Sequence, residues 1–207
     1  MTRVAVFIDY QNVYHGAREV FGSPSTDPPT MGHVNPFRLG LLLTQLGEAV
    51  DSSRELTAVT VYRGQPGAKS HPNLQSAFAR QVAAWKQMPR VTVRSRPLRY
   101  QPIAWSSGAP SEWRGEEKGI DVLIALDIVL GARDDHYDAA VVVSADTDLV
   151  PAIEVALDSG RRVETATWVG AASRQWPLRV PDRRLWNHQL DERRFGFVRD
   201  DTNYLAS

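Results

Sequence analysis

Short apolar runs alternate with amphipathic segments along most of the chain. Residues 3–10 form a continuous apolar run rich in β-branched side chains, which predicts a buried strand. Further strands are predicted at residues 57–62, 91–98, 139–143 and 162–167. Apolar residues three and four apart, with their flanking residues, predict helices at 36–46, 71–88, 119–131 and 149–157. This alternation indicates an α/β fold with a mostly parallel central sheet of about five strands, covered on both faces.

Glycine, proline and small polar residues dominate two segments between these elements. Residues 22–36 and 101–115 are therefore interpreted as loops. After Trp168 the pattern is less regular, and arginine and tryptophan are frequent. We expect a main domain at 1–170 and a C-terminal extension at 171–207 that packs on this domain or continues it.

Composition excludes some kinds of site. The chain has no cysteine, so disulfides, thiolate zinc sites and cysteine nucleophiles are ruled out. The first apolar run is too short for the core of a signal peptide, and no segment approaches the ~18 apolar residues of a membrane span. We therefore expect a cytoplasmic protein that does not contact the membrane.

The formal net charge of +0 conceals an uneven distribution of charge. Residues 56–111 contain eight basic and no acidic side chains, whereas residues 112–158 contain twelve acidic and three basic ones. One interpretation is a pair of solvated faces that neutralise each other in the fold. The other is a basic surface for a polyanion beside an acidic pocket for a cation.

Acidic residues follow strands at three places in the chain. Asp9 ends the first predicted strand, Asp121 begins a predicted helix, and Asp146 and Asp148 follow the most apolar strand. Neighbouring parallel strands lie only ~4.8 Å apart, so carboxylates at adjacent strand ends can converge. Such a group favours a hard divalent cation with oxygen ligands, Mg²⁺ or Mn²⁺ rather than zinc. Water held by that ion would be a nucleophile suited to a phosphodiester.

Each of these acids also has a purely structural interpretation. Asp9 is suited to cap a helix or a turn, and Asp121 to interact with a helix dipole. Asp146 or Asp148 would cap the helix that follows, and Asn12 would brace a loop. Asp127 lies about 240° around the helix from Asp121, which favours a supporting role for it. The occurrence of acids at three strand ends is what favours a site.

Three motifs together resemble the NYN domain. They are Phe-Ile-Asp-Tyr-Gln-Asn at 7–12, Lys-Gly-Ile-Asp at 118–121, and Val-Ser-Ala-Asp-Thr-Asp-Leu-Val-Pro at 143–151. The resemblance is to the LabA/DUF88-like branch of the PIN-like nuclease superfamily and covers roughly residues 3–170. The chain departs from the family pattern at Ala145, where glycine is usual.

The resemblance implies a Rossmann-like, PIN-type three-layer sandwich and a Mg²⁺- or Mn²⁺-dependent endoribonuclease. Carried onto this chain, the catalytic and metal-binding acids are Asp9, Asp121, Asp146 and Asp148, and Asn12 supports Asp9. The substrate implied is RNA, single-stranded or structured.

The basic segment contains candidates for binding that substrate. Arg63 and Lys118 are expected nearest the metal, where they would hold the scissile phosphate. Salt-sensitive phosphate contacts are expected from Arg90, Arg94, Arg96 and Arg99. Candidate surfaces for stacking of unpaired bases are Tyr10, Tyr14, Trp105 and Trp113, all of which would alternatively serve in packing.

Two other functions are compatible with the same sequence. One is a non-catalytic RNA-binding or regulatory module that retains the fold. The other is a metal-dependent phosphatase, although Gln11 stands where an aspartyl-phosphate enzyme would carry a second aspartate, and no glycine-rich phosphate loop is present. A homodimer is left open.

Overall fold

A six-stranded parallel sheet forms the centre of the protein, whose structure is a computed structural model. It describes residues 1–23, 25–106 and 109–206, with side chains at all of these except 105, 106 and 109–112. The strand order is β3-β2-β1-β6-β7-β8, and every pair is parallel. These strands are β1 Thr2–Asp9, β2 Arg54–Gln65, β3 Val91–Pro97, β6 Ala139–Val143, β7 Arg162–Trp168 and β8 Trp186–Leu190.

Helices cover both faces of this sheet. They are α1 Tyr10–Phe21, α2 Pro36–Gly47, α3 Pro72–Lys86, α4 Ile120–Arg133, α5 Val150–Asp158 and α6 Glu192–Val198, with a 3₁₀ turn at Thr147–Leu149. Polar caps fix where several of them begin: Asn35 accepts from the Arg38 backbone N–H, and Pro36 occupies the first helical position of α2. The α/β class and parallel sheet expected from the sequence are confirmed.

Alternate residues of β1 enter two separate cores. Val4, Val6 and Ile8 pack on the side of α1, α2 and α6. Ala5 and Phe7 pack on the opposite side, against α4 and α5. Because both faces are buried, the strand has the continuous apolar pattern from which it was predicted. Asp9 is the last residue of β1, at the carboxyl edge of the sheet, and by alternation it lies on the same side as Ala5 and Phe7.

Residues 101–115 do not form the expected loop. They lie within an antiparallel pair, β4 Arg99–Ser106 and β5 Ala109–Glu116, which stands apart from the main sheet. Residues 107 and 108 of the predicted loop lie outside the described part of the chain. Two irregularities interrupt the pairing of this hairpin. A two-stranded ribbon with bulges lacks a regular buried face, so its sequence shows no strict alternation of apolar residues.

The chain beyond residue 170 contributes to the same sheet. β8 pairs with β7 and adds a sixth strand to the five that were expected. In α6, Phe195 and Val198 are buried in the core of the α1 face, and the ring of Phe195 stacks on Phe21 at 5.0 Å. The extension therefore completes one face and one edge of the domain.

A buried ionic cluster ties β2, β7 and β8 together. The guanidinium of Arg54 donates to both carboxylate oxygens of Glu164, at 2.6 and 2.9 Å. His188 Nε2 lies 2.8 Å from the second of these oxygens. All three side chains are at most 5% exposed. Gly47 leaves the space that Arg54 fills, since a Cβ there would lie 2.3 Å from the guanidinium carbon.

Among the described helices, none has both the length and the apolar character needed to cross a lipid bilayer.

Candidate active site

A polar hollow of about 560 Å³ opens at the carboxyl edge of the sheet. β1 and β6 are neighbours there, so the residues that follow them come together, and the start of α4 closes one side. The acidic residues that line the hollow are Asp9, Glu19, Glu116, Glu117, Asp121 and Asp146. Arg114 and Lys118 are its basic lining residues. An open α/β sheet commonly binds ligands at this edge.

Asp9 is the centre of a hydrogen-bond network in this hollow. Its carboxylate is 5% exposed, accepts from the Asn12 backbone N–H at 3.1 Å and accepts from Ser144 Oγ at 2.9 Å. Ser144 Oγ in turn accepts from the Asp146 backbone N–H at 3.1 Å. Asn12 Oδ1 accepts from the Ala145 backbone N–H at 3.1 Å. The network locks the end of β1 to the turn after β6, so Asp9 caps α1 and also belongs to the site.

Gln175 completes this network from the C-terminal segment. Its Nε2 donates to Asn12 Oδ1 at 3.2 Å, and its Oε1 accepts from the Trp168 backbone N–H at 3.2 Å. The side chain lies over Gly16, where a Cβ would come within 2.0 Å of Gln175 Nε2. Gln175 lies beyond the expected domain boundary at 170 and belongs to no motif, so no pattern in the sequence indicated it.

The electrostatics of the hollow favour a bound cation. Burial, together with the charges of Asp121 and Asp146, raises the pKa of Asp9 to about 6 against the opposing hydrogen bonds from Asn12 and Ser144. Burial also raises the pKa of Asp121, with added repulsion from Asp146 and Asp148. A positive ion in the hollow would relieve both the burial cost and the repulsion.

The backbone before Asp121 is turned by a glycine in the left-handed conformation. Gly119 precedes α4 with a φ of 75°, a conformation that side chains rarely adopt. Asp121 follows in the first turn of the helix, as its structural interpretation expected. The same position also places it on the lining of the hollow.

Glu117 is a site residue that the sequence did not single out. It precedes Lys118-Gly119 and accepts from the Gly64 backbone N–H. Burial, with a smaller contribution from the charge of Asp9, raises its pKa to about 7 against the Gly64 hydrogen bond and the charge of Arg63. Its position directly before the Lys-Gly-Ile-Asp motif is the sequence feature that could have indicated it as a site residue.

The acids share the hollow without forming a closed ligand cage. Within the described ranges, no three His, Cys, Asp or Glu side chains are grouped tightly enough to hold a metal ion alone. Mg²⁺ commonly binds through one or two carboxylates and keeps several waters. The donor set of carboxylate and amide oxygens, with the carboxylates raising each other's pKa, fits a hydrated ion of this kind.

Asp148 and Asp127 lie outside the hollow. Asp148 is exposed, and its backbone N–H donates to the Asp146 carboxylate at 2.9 Å, so Asp146 is the residue that caps the 3₁₀ turn. Asp148 acts on the site through its charge, which raises the pKa of Asp121. Asp127 accepts from Tyr62 Oη at 2.6 Å and pairs with Arg94. That is a supporting role, as its position on α4 suggested.

Arg63 lies beside the hollow in an aromatic setting. Its guanidinium carbon is 4.8 Å from the ring centre of Tyr10, 4.9 Å from that of Phe78 and 5.7 Å from that of Trp85. It also donates to the side-chain oxygen of Gln81. Burial lowers its pKa. Arg63 therefore lines a neighbouring cavity, whereas Lys118 lines the hollow itself.

The predicted row of arginines is divided by the structure. Arg90 precedes β3 and pairs with Glu55. From the strand register, Arg90 lies roughly 13 Å along the strand direction from the level of Asp9, since a strand rises about 3.3 Å per residue. Arg94 is engaged by Asp127. Arg96 and Arg99 are exposed near the carboxyl edge, where Arg96 is at the level of Gly64. Arg90 is thus not brought to the site.

The candidate stacking residues have different environments. Tyr10 is buried and packs edge-on against Trp85 at 4.7 Å. Tyr14 lines the cavity that contains Arg63. Trp113 is 42% exposed on the hairpin. The side chain of Trp105 lies outside the described part of the structure.

A parallel sheet sandwiched by helices, with acids gathered at its carboxyl edge, is the architecture of a PIN-like sandwich. The family model named "NYN domain" matches residues 3–179, and the chain belongs to this family. The family predicted from the three motifs is thereby confirmed. NYN domains are in general nucleases that act with divalent metals.

Comparison with known proteins adds a similar structure. A crystal structure of a protein of unknown function from Vibrio parahaemolyticus is 19% identical, with 80% of each chain covered and a TM-score of 0.48. No curated protein matches the chain.

Proposed function

We propose that this protein is a divalent-metal-dependent endoribonuclease that hydrolyses phosphodiester bonds of RNA. The observation that carries the proposal is the buried carboxylate of Asp9, oriented by Asn12 and Ser144. Its charged form is disfavoured by burial and by two further acids of the same hollow. A protein retains such an arrangement at the cost of stability, and it is typical of a functional site.

Asp9, Asp121 and Asp146 would hold Mg²⁺ or Mn²⁺, with Asp148 adding negative charge from outside the hollow. When bound, the ion would supply charge stabilisation to the phosphate and lower the pKa of a coordinated water. The Asn12 backbone N–H and Ser144 Oγ hold the Asp9 carboxylate in one orientation, and Gln175 holds the side chain of Asn12.

Other residues of the hollow suit the handling of phosphate and protons. Lys118 and Arg114 are exposed at its lining and would attract a phosphodiester. Glu117, with a pKa of about 7, can hold or accept a proton at its carboxyl group beside the reacting centre. Arg96 and Arg99 extend the positive surface along the carboxyl edge, which suits a salt-sensitive RNA substrate in the cytoplasm.

A non-catalytic RNA-binding module is the second candidate. It is favoured by one observation, that no three acidic or histidine side chains of the described residues form a ligand group. In that case the hollow would bind RNA through Lys118 and Arg114 without cutting it.

Cleavage of a labelled single-stranded RNA tests the proposal. We expect the wild-type protein to cut with Mg²⁺ or Mn²⁺ and not in EDTA. Asp146→Asn should cut at least about tenfold more slowly, because it removes one carboxylate of the hollow. Asp158→Asn is the matched control, since Asp158 is exposed near the far end of α5 and pairs with Arg183. It should cut at the wild-type rate.

The outcomes separate the candidate functions. Equal cutting by the wild type and Asp146→Asn would reject the assignment of the acids. RNA that is bound but left intact with both ions would identify a binding module. Hydrolysis of p-nitrophenyl phosphate without cleavage of RNA would identify a phosphatase.

A further inference from the structure

A second cavity, of about 290 Å³, opens directly beside the acidic hollow. Gln11, His15, Gly115 and Glu117 line both, so the two spaces adjoin each other. The volume is just below the roughly 300–1,000 Å³ that small-molecule sites occupy. A group attached to a phosphate in the hollow would therefore reach this cavity.

The walls of the cavity are aromatic and aliphatic. They are formed by Tyr10, Tyr14, Leu74, Phe78, Leu98 and Tyr204. Tyr204 comes from the C-terminal segment and is held by two contacts: its carbonyl oxygen accepts from Arg80 Nε at 2.9 Å, and its hydroxyl donates to Asp200 at 2.8 Å. Anchored aromatic walls of this kind offer flat apolar surfaces to a ligand.

A few polar groups lie among these walls. Burial disfavours the charge of the Arg63 guanidinium. The guanidinium has five N–H donors, and Gln81 accepts from one of its nitrogens. His33 Nδ1 is buried and has no hydrogen-bond partner in the described part of the chain. The Glu117 carboxyl group stands where the cavity meets the hollow.

Flat apolar walls with a donor at one place and an acceptor at another match a nucleobase, which has two apolar faces and a polar edge. We infer that this cavity holds one unpaired base of the RNA strand whose phosphodiester lies in the acidic hollow. The base packs against Tyr14, Leu74 and Leu98, which are more exposed than the rings of Tyr10 and Phe78 that Arg63 covers. Arg63 donates to the edge of the base and Glu117 accepts from it. This inference rests on the proposed function, because it takes the strand in the hollow to be RNA.

The site requires an unpaired base. A base inside a helix is stacked and paired, and it enters a side pocket only after it has been turned out of the helix. Single-stranded segments and loops are consequently the expected substrates, and fully paired RNA is expected to be cut more slowly.

Two alanines of α3 provide a matched pair of variants. Ala77 lines the cavity, and Ala79, two residues further along the same helix, is exposed and does not. Ala77→Trp would fill the cavity while leaving every acid of the hollow in place. Ala79→Trp makes the same change in side-chain size on the solvent-exposed face of α3 and leaves the cavity open.

Binding is measured by calorimetry with Mg²⁺ present, because the probes contain no phosphodiester bond that the protein could cleave. The probes are the four nucleoside 5′-monophosphates and ribose 5-phosphate, which lacks a base. We expect at least one mononucleotide to bind about fivefold or more tighter than ribose 5-phosphate, the size of effect that stacking of one base produces. Ala77→Trp should remove this difference, and Ala79→Trp should retain it.

Each outcome bears separately on the two proposals. Mononucleotides that bind no better than ribose 5-phosphate would overturn the base site, even if the protein cuts RNA. The same holds if Ala77→Trp binds mononucleotides as the wild type does. Base-dependent binding that Ala77→Trp abolishes, in a protein that cuts no RNA with either ion, would support the base site and reject the nuclease. If Ala77→Trp fails to fold, the wild-type comparison with ribose 5-phosphate still decides.

Discussion

Glu164→Gln is expected to lower the free energy of unfolding by about 3–5 kcal/mol. The substitution removes one charge of a buried ion pair and leaves the guanidinium of Arg54, which is 0% exposed, without its counter-charge. It also removes the carboxylate oxygen beside His188 Nε2. The Arg54 Nε already lacks a hydrogen-bond partner among the described residues, so no nearby acceptor compensates. Urea unfolding followed by tryptophan fluorescence measures the change.

Glu55→Gln is the matched control for this prediction. It removes the same charge from the pair with Arg90, in which both side chains are more than a third exposed. Exposed pairs contribute about 0–1 kcal/mol, so its unfolding midpoint should remain close to that of the wild type. Equal destabilisation by the two variants would show that burial of the Arg54–Glu164 pair does not set its contribution.

The same cluster should make stability depend on pH in the acid range. Burial acts to raise the pKa of Glu164, but hydrogen bonds from His188 and Arg54 outweigh it, and the pKa lies below its ordinary value. A carboxyl group with a lowered folded-state pKa contributes stability that is present above its unfolded pKa of about 4.3 and lost as the pH falls below it. The difference between wild type and Glu164→Gln should therefore be smaller at pH 3 than at pH 7.

The central strands could be predicted because their buried positions give continuous apolar runs in the sequence. β1 and β6 are covered by helices on both faces, so nearly every position is apolar. The hairpin of β4 and β5 lies outside the main sheet and carries no such constraint, so its proline- and glycine-containing sequence was interpreted as a loop. β8 was missed for a related reason: its five residues alternate between exposed and buried positions in a segment without other periodicity.

The candidate site could be predicted only as far as local motifs extend. Asp9, Asp121 and Asp146 each end a strand or begin a helix, and the parallel sheet brings such positions to one edge. Glu117 and Gln175 could not be found in this way. Their roles depend on burial and on contacts across more than fifty residues of sequence, to Gly64 for one and to Asn12 for the other.

Asp148 shows the limit of motif reasoning in the other direction. Its spacing from Asp146 matches the family motif, and in the 3₁₀ turn at Thr147–Leu149 its side chain is exposed and does not line the hollow. Spacing in the sequence determines which residues are near in the chain. The local helical geometry determines where each side chain lies.

Asp9→Asn is expected to reduce the rate of RNA cleavage by about 10²- to 10³-fold, the largest effect among substitutions in the hollow. Asp9 is the most buried of its acids and accepts from both Asn12 and Ser144. An amide is uncharged and has one acceptor oxygen where the carboxylate has two, so it binds a cation more weakly. The loss of charge stabilisation worth several kcal/mol corresponds to this range, since about 1.36 kcal/mol is tenfold in rate. Asp158→Asn again serves as the unaffected control.

Thermal unfolding separates this effect from simple misfolding. The pKa of Asp9 is raised from 3.8 to about 6 in the folded state, so ionisation opposes folding by on the order of 3 kcal/mol above pH 6. This opposition disappears as the pH falls below about 4, and it is absent in Asp9→Asn. In EDTA the wild type should therefore gain stability relative to the variant between pH 7.5 and pH 5, and Mn²⁺ at pH 7.5 should raise the unfolding temperature of the wild type only. A variant that cuts RNA at the wild-type rate, or that Mn²⁺ stabilises as much as the wild type, would show that the Asp9 carboxylate does not bind the ion.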